Sequence, residues 1–186
     1  MLSKVVSFRG FVIFEAIKIA AFATLAAITY GILHDQITAH VCVEYFTVAH
    51  PPVFPTESPF WLAIGWGIIA TWWVGLPLGI GLAIAARVGR PSKMTLADLR
   101  RPIIILMFAS GVIAMISGAI GASLVAAGAV AIPVGWSTVI SADRWVAFSF
   151  DAWAHLASYA SGAIGGILII GITTAKRFGS AQKPVP

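Results

Sequence analysis

The residues able to do chemistry are concentrated in two stretches, 34–60 and 132–155. Between them these contain all four histidines, His34, His40, His50 and His155, and five of the seven acids, Asp35, Glu44, Glu57, Asp143 and Asp151. Imidazole nitrogens converging with carboxylates suit a transition-metal ion, with zinc, iron or copper as the elements that fit. The expected ligand set is His34, Asp35, Glu44, His50, Asp151 and His155. A carboxylate such as Asp35 or Asp151 would accept the second ring proton of a ligating histidine. A haem held between two of these histidines ranks below a bare ion. The sequence has no HExxH, CxxCH or paired ExxH pattern, so spacing does not select the metal. The same side chains would also serve as hydrogen-bonding groups joining loop to helix, or as a proton shuttle without metal. No serine–histidine–acid order points to nucleophilic hydrolysis, and no catalytic residue is assigned.

Spacing gives these residues a geometry. Asp151 and His155 stand one helical turn apart, and Ser158, Gly162 and Gly166 continue the same face within an arc of about 80°. Small residues on a membrane helix mark contact with neighbouring helices, so this face is expected to point into a bundle. Residues 37–49 are rich in apolar and branched side chains. If extended, they place His40, Cys42 and Glu44 on one face; if helical, His40 and Glu44 still align one turn apart. The single cysteine, Cys42, excludes an intrachain disulfide and reads as a small buried side chain. Asp143 and Arg144 are expected to form a local surface ion pair.

Four long apolar runs must position these groups. Of the 186 residues, 59% are hydrophobic and 10% charged, far below the roughly 25% charge of globular domains. The expected fold is all-α: a polytopic integral membrane protein, one domain forming a four-helix bundle, with helices near 11–33, 61–86, 103–131 and 152–175. A structured outer loop, 34–60, a cytoplasmic loop, 87–102, and a mobile tail, 177–186, complete the chain. The first run is too long for a signal-peptide core and reads as a retained helix. Glu15 and Lys18 pair near its inner end. In the second, Gly75 and Gly79 permit close helix approach and Pro77 should bend the axis. In the third, Gly118 belongs to a run of small residues, and Thr95–Asp98 resembles a capping box that would open a short surface helix.

Ten of the twelve basic residues fall at the N-terminus, in the 87–102 loop or at the C-terminus. The positive-inside rule then places both termini in the cytoplasm, in a bacterial inner membrane. The basic clusters sit at the ends of apolar runs and not in an aromatic-interleaved stripe, so the formal charge of +5 points to anionic lipid and away from nucleic acid.

The segment Tyr30-Gly-Ile-Leu-His-Asp-Gln-Ile-Thr38, with Glu44-Tyr-Phe-Thr47 and His50-Pro51 after it, resembles a group of small bacterial four-helix membrane proteins that share a YGIxHDQIT…EYFT pattern. The resemblance implies that Asp35, Gln36, Glu44 and Tyr45 belong to one recurring structure on the outer face; it implies no reaction. Three functions follow in order: a membrane metalloprotein, with a metalloenzyme as its catalytic form; an accessory subunit, as a homo-oligomer or in a larger membrane complex; and a small transporter, for which the chain lacks midplane charges.

Overall fold

The computed structural model describes the backbone of residues 2–89 and 92–180 and the side chains of residues 13–89 and 92–179. All regular structure among these residues is helical. Helix α1 spans Leu2–Val41, α2 Val43–Thr47, α3 Pro59–Ile69, α4 Trp72–Arg87, α5 Leu96–Ala126, α6 Val134–Ser137 and α7 Trp145–Ser180, with a 3₁₀ turn at Ala142–Arg144. Four helical stretches, Ile13–Val41, Pro59–Arg87, Leu96–Ala126 and Ala142–Gly179, are long and apolar enough to cross a membrane. The surface supports the same conclusion. Phe108 and Leu156 are each 74% exposed, whereas Glu15, His34, Asp35, Asp151, His155 and Arg177 are buried. Apolar side chains outside and ionisable ones inside is the reverse of a water-soluble arrangement, and a bilayer is the solvent that stabilises it.

The spans form a ring. The first packs on the second and third, and the fourth packs on the second and third, closing the bundle. Glycines set the tightest approaches. A Cβ on Gly67 would lie 2.5 Å from the Ile32 nitrogen, and one on Gly79 2.9 Å from the Ala20 carbonyl oxygen. Gly75 meets Ala27 and Thr24 of α1, while Gly118 and Gly121 receive Phe150 and Trp153 of α7. Gly162 differs from the expectation for its face: nothing lies within 4 Å of a Cβ there.

Element boundaries differ from those read off hydropathy. Helix α1 does not stop at Leu33 but continues to Val41, so His34, Asp35 and Thr38 are helical residues and the connection begins only at Cys42. Hydropathy reports bilayer thickness, whereas polar residues can prolong a helix, and neither glycine nor proline stands between Gly31 and Pro51 to end it early. Residues 37–49 therefore contain helix, a break at Cys42 and the short α2, with no extended stretch.

The second span is interrupted at Ala70–Thr71, six residues before Pro77, and α4 runs on through the proline. At the interruption the bonds tighten to i−3: Thr71 N–H reaches the Ile68 carbonyl at 3.4 Å and Val74 N–H the Thr71 carbonyl at 3.1 Å. Thr95 and Asp98 do form a capping box, but the helix it opens is the third span itself and not a separate surface helix. That helix closes at Ala126 in a Schellman arrangement, with Gly128 at φ +69° and Ala129 N–H bonded to the Leu124 carbonyl at 2.9 Å.

The last helix begins at Trp145 and reaches Ser180. Arg177 is no part of a mobile tail. Its guanidinium is buried and donates to the carbonyls of Ala85, Val88 and Ser92, capping the C-terminus of α4. The remainder of the expected tail, residues 181–186, lies outside the described residues. At the same end, Lys18 donates to Glu15 at 2.6 Å and Leu96 N–H donates to the other Glu15 oxygen at 3.2 Å. Glu15 thus ties α1 to the start of α5.

Candidate metal centre

The continuation of α1 beyond Leu33 brings His34 and Asp35 against α7. There, His34, Asp35 and His155 each direct one ligand atom into a space where these atoms lie within 4.8 Å of one another. The imidazoles of His34 and His155 meet edge to face at 4.7 Å between centroids. His155 Nε2 stands 3.3 Å from Asp35 Oδ1.

The tautomer of His155 is fixed by its other nitrogen. Nδ1 lies 2.8 Å from the backbone carbonyl of Asp151, which can only accept, so Nδ1 carries the proton. In the neutral ring Nε2 then presents a lone pair to a carboxylate oxygen. Two lone pairs at 3.3 Å repel, so the contact requires a positive charge between them, either a proton or a metal ion. Neither ring nitrogen of His34 has a hydrogen-bond partner among the described residues, although the side chain is buried. An unsatisfied buried imidazole is costly unless something else bonds it.

The other expected ligands lie elsewhere. Glu44 accepts both Arg144 Nε and Nη2 at 2.9 Å and also faces the Cys42 thiol at 3.3 Å. That engagement occupies its oxygens, and the guanidinium holds its carboxyl below the ordinary range. Arg144 additionally donates to the Val41 carbonyl, so it pins the end of α1 to the start of α7 and forms no local pair with Asp143.

His50 Nδ1 donates to the Tyr45 carbonyl at 2.7 Å, and its ring packs on Trp66 at 4.6 Å. Burial holds this imidazole below its usual pKa. It lines the same cavity as the three clustered residues without joining them. Asp151 is fully buried and both carboxylate oxygens are without partners among the described residues, so it is the Asp151 backbone, and not its side chain, that orients His155. His40 is exposed and bonds back to the Gln36 carbonyl at 2.7 Å.

Several residues beside the centre were not among the expected ligands, although the resemblance had placed Tyr45 on the outer face and the small-residue face had included Ser158. Tyr45 from the short α2 lies over His155 at 4.5 Å between rings. Tyr30 and Ser158 hydroxyls pair at 2.8 Å, and Tyr159 donates to the Ala70 carbonyl at 3.1 Å, at the break in the second span. Tyr30 sits one turn before His34, so the 3.6-residue period would have placed it beside the centre once α1 was known to continue. Below the centre lies a cavity of about 120 Å³, lined by all four spans. Compared with protein-family models, curated proteins and solved structures, the chain matches none.

Proposed function

We propose that this chain is an integral membrane metalloprotein whose single transition-metal ion is held by His34, Asp35 and His155. The observation that carries the reading is the His155–Asp35 contact beside the unpartnered His34. Ligand bonds of 2.0–2.1 Å in a tetrahedral site put neighbouring donors about 3.3 Å apart, and Nε2 and Oδ1 are separated by 3.3 Å. The His34 donor lies within 4.8 Å of both and would have to move closer to complete the face. Two imidazoles and one carboxylate are a donor set used by zinc and by non-haem iron. Three protein donors leave a fourth position open toward the cavity, as in a reactive centre.

The distribution of basic residues supports both termini in the cytoplasm and the centre near the extracytoplasmic face of a bacterial inner membrane. The YGIxHDQIT…EYFT segment would then be the recurring element that brings His34 and Asp35 together with Tyr45.

Protein prepared from native membranes, without chelator or metal-affinity chromatography, is expected to contain about one zinc or iron per chain by elemental analysis. Asp35→Asn and His155→Ala should each lower that content at least about tenfold while the protein stays monodisperse. Metal-free material whose His155→Ala variant is equally stable would reject the centre. Metal-free material in which His155 titrates with Asp35 would instead favour a shared proton, the second reading of the same 3.3 Å contact.

A further inference from the structure

The cavity beneath the centre has a shape and a chemistry of its own. On α1 its wall runs from Asp35 to Ala23, a helical length of about 18 Å at 1.5 Å per residue. Its volume, about 120 Å³, is close to that of apolar cavities of ~150 Å³ that admit benzene, but it is drawn out along the bundle axis. The part distant from the histidines is walled by Leu78, Leu82, Ile103, Leu106 and Ile169. The part near them is polar, with the Tyr30 and Ser158 hydroxyls facing each other.

Two polar groups in that wall have no partner among the described residues: His34 and, on α5, Ser110, which is 1% exposed. The Ser110 level is fixed by its neighbour, since a Cβ on Gly111 would meet the Tyr30 ring at 3.5 Å. A buried hydroxyl without a hydrogen bond costs about 1–3 kcal/mol, and hydroxyls on membrane helices ordinarily bond to their own helix or a neighbour. An oxygen atom placed at the polar end would give Ser110 the hydrogen bond it lacks.

We infer that the cavity binds a lipid-soluble molecule with an uncharged, oxygen-bearing head and a slim unbranched tail. The head lies between Ser110, Tyr30 and His34, and the tail extends toward Leu82 and Ile103. In the metal-free chain the charge of the head follows from Asp35, whose carboxylate repels an anion and is itself engaged by His155, leaving no free charge to hold an ammonium group. The inference rests on the proposed centre for any chemistry done on the head, whereas binding of the tail requires only the cavity.

The test is photolabelling with dodecanol carrying a diazirine in its chain, mapped by peptide mass spectrometry. Label is expected on cavity residues such as Leu82, Leu106 and Ile169. Excess dodecanol should suppress it, and on chelator-stripped protein dodecanoate should compete about tenfold less well. Gly162 lines the cavity in open space, so Gly162→Leu should fill it without striking the bundle. Cavity labelling should fall about tenfold while labelling of lipid-facing Phe108 and Leu156 persists. Label confined to lipid-facing positions, or cavity label that Gly162→Leu leaves unchanged, overturns the inference. If that variant does not fold, the wild-type map and the competition decide alone. Repeating the labelling on chelator-stripped protein separates the two proposals. Cavity label retained in a chain that never held metal supports the cavity and defeats the centre, and metal without cavity label does the reverse.

Discussion

Glu44 and Arg144 illustrate how a side chain can carry the right chemistry for one role and be held in another. As a carboxylate close in sequence to histidines, Glu44 was a reasonable metal ligand, and Arg144 next to Asp143 a reasonable local pair. In the fold Arg144 clamps Glu44 with two parallel contacts, a stronger geometry than a single surface contact. Both side chains remain about a third exposed, so the pair should contribute about 1 kcal/mol. The Glu44 carboxyl is held below its ordinary value by the guanidinium. Its stabilisation is therefore fully present above the ordinary carboxylate pKa of about 4.3 and lost as pH falls through the lower folded value. Arg144→Gln should lower the melting midpoint in mild detergent by about 2–4 °C at pH 7, and the gap from wild type should close below about pH 4. A gap that is unchanged by acid would show that the pair is not its origin. Cys42 gives a second expectation. Burial, reinforced by Glu44, pushes its thiol up to about 12, against about 8.5 for a free thiol. Maleimide labelling at pH 8 should be about a thousandfold slower than for a free cysteine, and labelling within minutes would contradict the buried position. Burial of Cys42 was legible in the sequence, because a small sulfur side chain among apolar neighbours rarely sits in water; the Glu44–Arg144 clamp was not, because a hundred residues separate its partners.

The helices themselves were legible in number and order, since four apolar runs of bilayer length need only composition to be seen. Their ends were less so. Polar residues from His34 to His40 ended the first apolar run without ending the helix, because Thr38 and His40 satisfy themselves on their own helix's carbonyls. That extra length is what delivers His34 and Asp35 to His155. Packing between helices separates glycines that look alike in sequence. Gly67 faces the Ile32 backbone and Gly162 faces open space. Gly67→Ala should cost about 1–3 kcal/mol through overpacking of backbone against backbone. Gly162→Ala should be neutral or stabilise by up to about 1 kcal/mol, because alanine favours the helix. Size-exclusion survival after graded heating compares the two variants directly. Equal survival would mean that α1 and α3 do not approach as closely as the Gly67 geometry requires.

At the scale of the molecule, the bundle has two chemically different ends. One gathers Glu15, Arg87, Lys93 and Arg177, several of them bonded to helix-terminal carbonyls. The other gathers His34, Asp35, His50 and His155 at the polar end of the cavity, with Asp151 buried one turn before His155. A phosphatase reporter that folds only outside the cytoplasm should be active when fused after Glu57 or Val139 and inactive after Ser92. The reverse pattern would place the proposed metal site on the cytoplasmic side. The amino-acid sequence by itself determined the solvent, the four spans and the segregation of charge, because each depends on local composition along a single helix and on a bilayer of fixed thickness. Which polar residues meet was decided by the tertiary structure alone. His34, Asp35 and His155 come from helices at opposite ends of the chain, and their contact depends on the extension of α1 past Leu33, on glycine-mediated helix spacing and on the Asp151 carbonyl that orients an imidazole. None of these is a property of one segment, so no pattern of residue types could have singled out this trio from the six candidates.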